Sequence, residues 1–179
     1  MNQYFNLRID LKETDSTQDI AKKLLIEDIN LNFLITAEKQ KNGYGREKRK
    51  WESRYGGIYI TAGVKKEINL DNINRLSTET AKLIVNFLKE FDIKSKIKHP
   101  NDVMALEKGK YKKIAGILIE TIPFKNKRYI LFGIGINVNN PPPKNIPATS
   151  MKKIIGRTLD QKKALNIFLE NLEVFLKCL

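Results

Sequence analysis

Cysteine, histidine and tryptophan occur once each in the 179 residues, as Cys178, His99 and Trp51. A lone cysteine excludes an intrachain disulfide and suits a reducing compartment, so a cytoplasmic location is expected. One His and one Cys cannot assemble a zinc site. No apolar run is long enough to cross a bilayer, and Met1-Asn2-Gln3-Tyr4 lacks the basic and apolar regions of a signal peptide, so no membrane partner is expected. Acidic residues are scarce beside basic ones, 20 against 33, giving a net charge of +13. That excess admits a nucleic acid, an acidic protein or a polyphosphate as partner. No helix-turn-helix, zinc finger or aromatic RNA-binding signature accompanies it, and lysines are spread along the whole chain, so charge alone selects none of these. Repeats, linkers and low-complexity tracts are also missing. What is present is one domain's length with 41% hydrophobic residues, enough to bury a core.

Cations do gather in one place, the stretch Gly43-Tyr44-Gly45-Arg46-Glu47-Lys48-Arg49-Lys50-Trp51-Glu52-Ser53. Two glycines one residue apart let the backbone bend and approach a ligand closely. Arg46, Lys48, Arg49 and Lys50 follow without helical or strand-like apolar spacing. Such a segment is either a solvated basic loop with Trp51 docked in the core, or a loop that closes over phosphates with Trp51 as its anchor.

Around it the chain reads as alternating strands and helices. Phe5, Leu7, Ile9 and Leu11 mark a strand over 4–13, and Asp15 or Ser16 caps a helix carrying Ile20, Ala21, Leu24, Leu25 and Asp28. Ser16 and Thr17 either cap that helix or also offer hydroxyls to a polar ligand at its start. Residues 32–37 and 57–63 are strands that flank the basic loop and place it at one rim of a sheet. Asp71 caps a long helix whose stripe runs Ile73, Leu76, Thr80, Leu83, Ile84, Phe87, Leu88 and Phe91. Residues 94–98 form an edge-like strand, 99–102 a turn, and Glu107-Lys108-Gly109-Lys110 a hairpin. Thr149 or Ser150 starts a short helix ending near Gly156, and Asp160 caps the last helix.

Ile114 to Ile119 is almost continuously apolar, which predicts a strand buried on both faces. Lys113 stands at its mouth, where an ammonium group is costly unless it meets an anion. Residues 128–139 form a second buried strand, with Gly133 and Gly135 on one face. Their spacing is too short for a dinucleotide fingerprint and suits a flat ligand lying on the sheet.

Taken in order, Glu13-Thr14-Asp15-Ser16-Thr17-Gln18, Gln40 to Ser53, Lys98-His99-Pro100-Asn101-Asp102, Lys113 to Glu120 and Gly133-Ile134-Gly135-Ile136-Asn137 resemble the motifs of the biotin protein ligases. The resemblance implies an α+β fold, a mixed and largely antiparallel sheet backed by helices. It implies that 1–179 is a single catalytic domain, with neither an N-terminal DNA-binding domain nor a small C-terminal β domain. It also implies an activity: biotin is activated with ATP and Mg²⁺ to biotinyl-5′-AMP, and the biotinyl group passes to a lysine of a biotin carboxyl carrier protein. A homodimer is an expected assembly, and DNA is not an expected partner.

The resemblance further assigns roles. Ser16, Thr17, Gln40, Gly43, Tyr44, Gly133 and Gly135 hold biotin. Lys113 meets the biotin carboxylate and the α-phosphate and, with Arg46, is catalytic. Arg46, Arg49, Trp51, Asn101 and Asn137 bind ATP or the adenylate, and Asp102 is a Mg²⁺ ligand through ATP. This chemistry suits the residues. A carboxylate and an α-phosphate about 4 Å apart repel by about 4 kcal/mol at an effective dielectric near 20, and two cations can cancel that. His99 stands where the family usually has Trp, which predicts a change of packing and no catalytic role. A lipoate ligase of the same fold and a non-catalytic biotin binder are the alternatives.

Overall fold

Side-chain caps open the first and last helices. The computed structural model describes residues 4–66, 73–125 and 127–179. In it the Ser16 side chain accepts from the Gln18 N–H at 3.2 Å and opens α1 (Thr17–Ile26). Helix α1 stops at Ile26, and Asp28 lies past its end at φ 61°. The Asp160 side chain likewise accepts from Lys163 N at 3.0 Å to start the last helix, α4 (Gln161–Lys177), which Cys178 caps. Between them run α2 (Ile73–Lys89) and the short α3 (Met151–Ile155), which ends on Gly156 at φ 82°. The expected cap Asp71 lies outside the described residues.

The strands are β1 (Leu7–Thr14), β2 (Phe33–Gln40), β3 (Ile58–Lys65), β4 (Ser95–Lys98), β5 (Asp102–Glu107), β6 (Lys110–Phe124) and β7 (Lys127–Ile136). They form one seven-stranded sheet in the order β1-β2-β3-β7-β6-β5-β4. Among these described strands, β1 and β2 alone pair in parallel. The sheet is therefore mixed and largely antiparallel, with β4 at one edge as expected. The 107–110 hairpin turns at Lys108 (φ 48°) and Gly109 (φ 79°), the left-handed pair that suits strand twist.

One face of the sheet carries Ile60, Ile117, Phe132 and Ile134 and is covered by Ile84, Phe87 and Leu88 of α2 and Phe168 and Leu172 of α4. Phe87 and Phe168 meet edge to face at 5.2 Å. The other face is divided along β7. Tyr129 and Leu131 pack under Ala21 and Leu25 of α1. Two and four residues past Leu131 on the same face, Gly133 and Gly135 carry no side chain, so side chains from other elements, Gln18 and Trp51, can lie against the sheet there. Large residues under the helix and glycines beyond its N-terminus thus leave a trough where α1 begins.

This corrects the expectation that β6 is buried on both faces. Ile114, Ala115 and Ile117 are buried, but Gly116, Leu118 and Glu120 are half-buried and belong to the trough side.

Candidate active site

The trough is a cleft of about 380 Å³ floored by Gly116, Gly133 and Gly135. These glycines sit side by side in register, Gly116 opposite Gly135 and Leu118 opposite Gly133. The indole of Trp51 lies over two of them. A Cβ at Gly135 would fall 2.4 Å from Trp51 Nε1, and one at Gly116 would fall 3.0 Å from Cζ3. Nε1 is buried with no hydrogen-bond partner among the described residues. Trp51 is thus the anchor of the basic loop, and its seat is the glycine floor.

The loop itself is a folded flap. Gly45 N donates to Arg49 O and Trp51 N to Gly43 O, each at 2.8 Å, and Arg46–Lys48 form one 3₁₀ turn. Glu47 and Lys48 both adopt φ 56°. Left-handed backbone costs a non-glycine residue roughly 1–2 kcal/mol, so the flap is strained where its cations are displayed. The Lys48 ammonium lies 3.8 Å from the Tyr44 ring centroid, and the Arg49 guanidinium pairs with the Glu47 carboxylate. Arg46 is exposed and forms no ion pair among the described residues.

A belt of polar side chains closes the end of the cleft at α1. Gln40 Oε1 accepts from Thr17 N at 2.8 Å and lies 3.1 Å from Thr17 Oγ1, while Gln40 Nε2 donates to Ser53 Oγ at 2.7 Å. Thr61 Oγ1 sits 2.9 Å from Thr17 Oγ1 and 3.0 Å from Gln18 Oε1. Gln18 Nε2 donates to Glu120, Glu120 receives Lys22, and Lys22 reaches the Tyr44 hydroxyl. Burial pushes the Tyr44 phenol up to about 12, and its hydrogen bond to Asp19 adds to the rise while Lys22 opposes it.

Lys113 owes its position to a bulge. Met104 pairs with Lys113 but Val103 pairs with Ala115, so Ile114 is an extra residue in β6. In a regular strand Lys113 and Gly116, three apart, would face opposite ways. The extra residue restores them to one face and aims the ammonium into the cleft. There it lies 2.7 Å from Asp102 Oδ1 and 5.3 Å from the Trp51 ring centroid. Lys113 is therefore inside β6, three residues past its start, and the anion it meets is Asp102. Asn101 Nδ2 donates to Ile117 O at 3.1 Å and fixes the turn beside it.

Ser16, Thr17, Gln40, Tyr44, Arg46, Arg49, Trp51, Asn101, Asp102, Lys113, Gly133 and Gly135 are thus brought to one cleft. Gly43 and Asn137 are not part of its wall. Gly43 lies where the base of the flap crosses itself; a Cβ there would fall 2.7 Å from Ser53 Oγ and 2.8 Å from Trp51 O. Asn137 is buried, donates to Thr149 O at 3.0 Å and accepts from Asn140 at 2.9 Å, so its amide ties down the segment after β7. His99 is exposed on the cleft rim, where a packing change had been expected. Gln18, Thr61, Lys22, Glu120 and Gly116 went unassigned in the sequence. The alternation Gly116, Leu118, Glu120 was the available signal for the last.

A glycine floor, hydroxyls and amides at one end, and cations at the other suit a flat polar ligand brought against an anion. Among the described residues no group of three or more His, Cys, Asp or Glu is placed to hold a metal by itself. No helix among them is long and apolar enough to cross a membrane.

Comparison with known proteins makes the class specific: the chain belongs to the biotin/lipoate A/B protein ligase family, which it matches over residues 11–137. It is 32% identical over 154 residues to the bifunctional ligase/repressor BirA of Bacillus subtilis, covering 82% of this chain and 46% of that protein. It is 30% identical over 150 residues to the biotin–protein ligase of Schizosaccharomyces pombe, covering 72% of this chain and 23% of that protein. The structure of biotin protein ligase from Aquifex aeolicus in complex with biotin and ATP matches with a TM-score of 0.77 and 33% identity, over 97% of this chain and 71% of that one. The chain spans less than half the length of the two curated relatives.

Proposed function

We propose that this chain is an ATP-dependent ligase that converts biotin to biotinyl-5′-AMP and transfers the biotinyl group to a lysine of a biotin carboxyl carrier protein. The observation that carries the proposal is Lys113, a cation aimed by a strand bulge into the space between the glycine floor and the basic flap. Ser16, Thr17 and Gln40 take the polar ring of biotin, Gly133 and Gly135 its flat face once the Trp51 indole moves off Gly135 toward the nucleotide, and Tyr44 walls the same end. Arg46, Arg49, Trp51 and Asn101 line the nucleotide end.

In the first step a biotin carboxylate oxygen bonds to the α-phosphorus of ATP and the bond to the β-phosphate oxygen breaks, releasing pyrophosphate. Lys113 turns from Asp102 to the incoming anions, and Arg46 adds its charge from the flap, so the repulsion between carboxylate and phosphate is offset before the transition state forms. Asp102, freed of Lys113, fits Mg²⁺ as its one protein carboxylate beside phosphate oxygens, the usual arrangement for that ion. A Mg²⁺ ion held there would screen charge on the departing pyrophosphate. In the second step the acceptor lysine's amine attacks the anhydride carbonyl, AMP leaves, the amine loses a proton and an amide remains. The flap excludes water from the anhydride in the interval.

Exchange of labelled pyrophosphate into ATP tests this. Exchange that depends on biotin, and that lipoate does not replace, is the expected result. A folded chain with no biotin-dependent exchange would refute the proposal.

A further inference from the structure

The hydroxyl of Tyr44 enters a small charged cluster. It donates to Asp19 Oδ1 at 2.6 Å and accepts from Lys22 Nζ at 3.1 Å. Lys22 Nζ also donates to Glu120 Oε1 at 2.9 Å, and Gln18 Nε2 to Glu120 Oε2 at 2.8 Å. Gln18 in turn leans over Gly133, where a Cβ would fall 2.8 Å from its Oε1. The cluster therefore joins three elements, α1, β6 and the flap, and ends on the cleft floor.

Lys22 and Glu120 are each little more than a quarter exposed, at 27% and 28% of their side chains. An ion pair that far from water adds little net stability over an apolar pair of the same size. What it does supply is direction, because a phenol hydroxyl held from one side by a carboxylate and from the other by an ammonium has one position. Tyr44 is also the residue at which the flap begins its small hairpin, opposite Lys50. Beyond it come the left-handed residues Glu47 and Lys48, a turn that relaxes unless its ends are fixed. Trp51 fixes one end on the glycine floor, and Tyr44 fixes the other.

We propose that Tyr44, Asp19, Lys22 and Glu120 form a latch that holds the basic flap shut. Asp19, Lys22 and Glu120 are then positioning residues that retain the acyl-adenylate made beneath the flap. The second half of the statement rests on the ligase function proposed above; the first half does not.

Hydrogen exchange on the full chain separates the two. Gly45 N and Trp51 N are bonded only while the flap is folded, so their exchange follows its opening. Losing a hydrogen bond to a charged group raises the open population by about tenfold or more. Tyr44→Phe and Asp19→Asn are each expected to speed exchange at Gly45 and Trp51 by about that factor. Amides of β7 should stay unchanged, and the double variant should be no faster than Tyr44→Phe alone. Unchanged flap exchange, equal acceleration in β7, or effects that multiply would overturn the latch.

The second readout uses Asp19→Asn and Glu120→Gln with biotin, ATP and Mg²⁺ but no acceptor. Release of AMP, measured against pyrophosphate exchange, is expected to rise about tenfold, in step with flap opening. An unchanged ratio in variants whose flap amides do exchange faster would overturn the retention role. If the wild-type chain shows no biotin-dependent pyrophosphate exchange while the flap amides still respond, the ligase function fails and the latch stands.

Discussion

Gly135→Ala probes the seat of Trp51 directly. The substituted Cβ would lie 2.4 Å from Nε1, 2.6 Å from Cε2 and 2.9 Å from Cζ2 of the indole, all closer than real carbon contacts allow. The obstacle is a rigid ring, so the whole indole must move. Gly135 lies in a strand with φ outside the left-handed region, and Ala there gains about 0.5–1 kcal/mol in backbone entropy. Overpacking costs about 1–3 kcal/mol, which leaves a net loss of up to about 2.5 kcal/mol. For a domain of this size that lowers Tm by up to about 10 °C. The assay has a built-in probe, because Trp51 is the chain's single tryptophan. Its emission should shift to the red and become more open to acrylamide quenching as the ring leaves the floor. Gly109→Ala is the control: at φ 79° it strains the hairpin but meets nothing within 4 Å, so the emission should not change. Unchanged emission and unchanged Tm in Gly135→Ala would refute the seating of Trp51 on the glycine floor.

Lys113→Ala should slow adenylation by roughly 10²–10³, the scale for removing one transition-state contact, and stopped-time pyrophosphate exchange would read it. An unchanged rate would remove Lys113 from the mechanism. The Tyr44 phenol, raised from 10.0 to about 12 chiefly by burial and then by Asp19, stabilises the folded state fully below pH 10. That contribution is lost as pH climbs through about 12, so Tm of the wild type should fall more steeply from pH 10 to 12 than Tm of Tyr44→Phe. Identical slopes would place the phenol in water.

Much of this arrangement was legible because it is local chemistry. Ser16 and Asp160 cap helices by hydrogen bonds that depend on neighbours two and three residues away, and Lys108-Gly109 turn a hairpin by their own backbone preferences. The stripe of α2 and the basic flap were visible for the same reason. What was hidden depends on pairing. An apolar run such as Ile114 to Ile119 does not say which of its residues lacks cover, and the trough exists only because β6 meets β7 glycine to glycine. The bulge that turns Lys113 toward the cleft arises between β5 and β6 and has no signature within either strand. Asn137, which the resemblance put at the nucleotide end, has its amide tied to Thr149 and Asn140 after β7, contacts that no pattern in its own strand announces. The belt from Gln18 to Glu120 joins residues 102 positions apart, a distance over which polar residue types carry no pairing code.

The central claim is that one cleft holds a biotin carboxylate and an α-phosphate together long enough to join them. Native mass spectrometry of the chain after incubation with biotin, ATP and Mg²⁺ tests it in a single step. The protein should carry the mass of biotinyl-5′-AMP, and omission of biotin should abolish that species. A spectrum holding only the free chain, or the chain with unreacted biotin or ATP, would contradict the account.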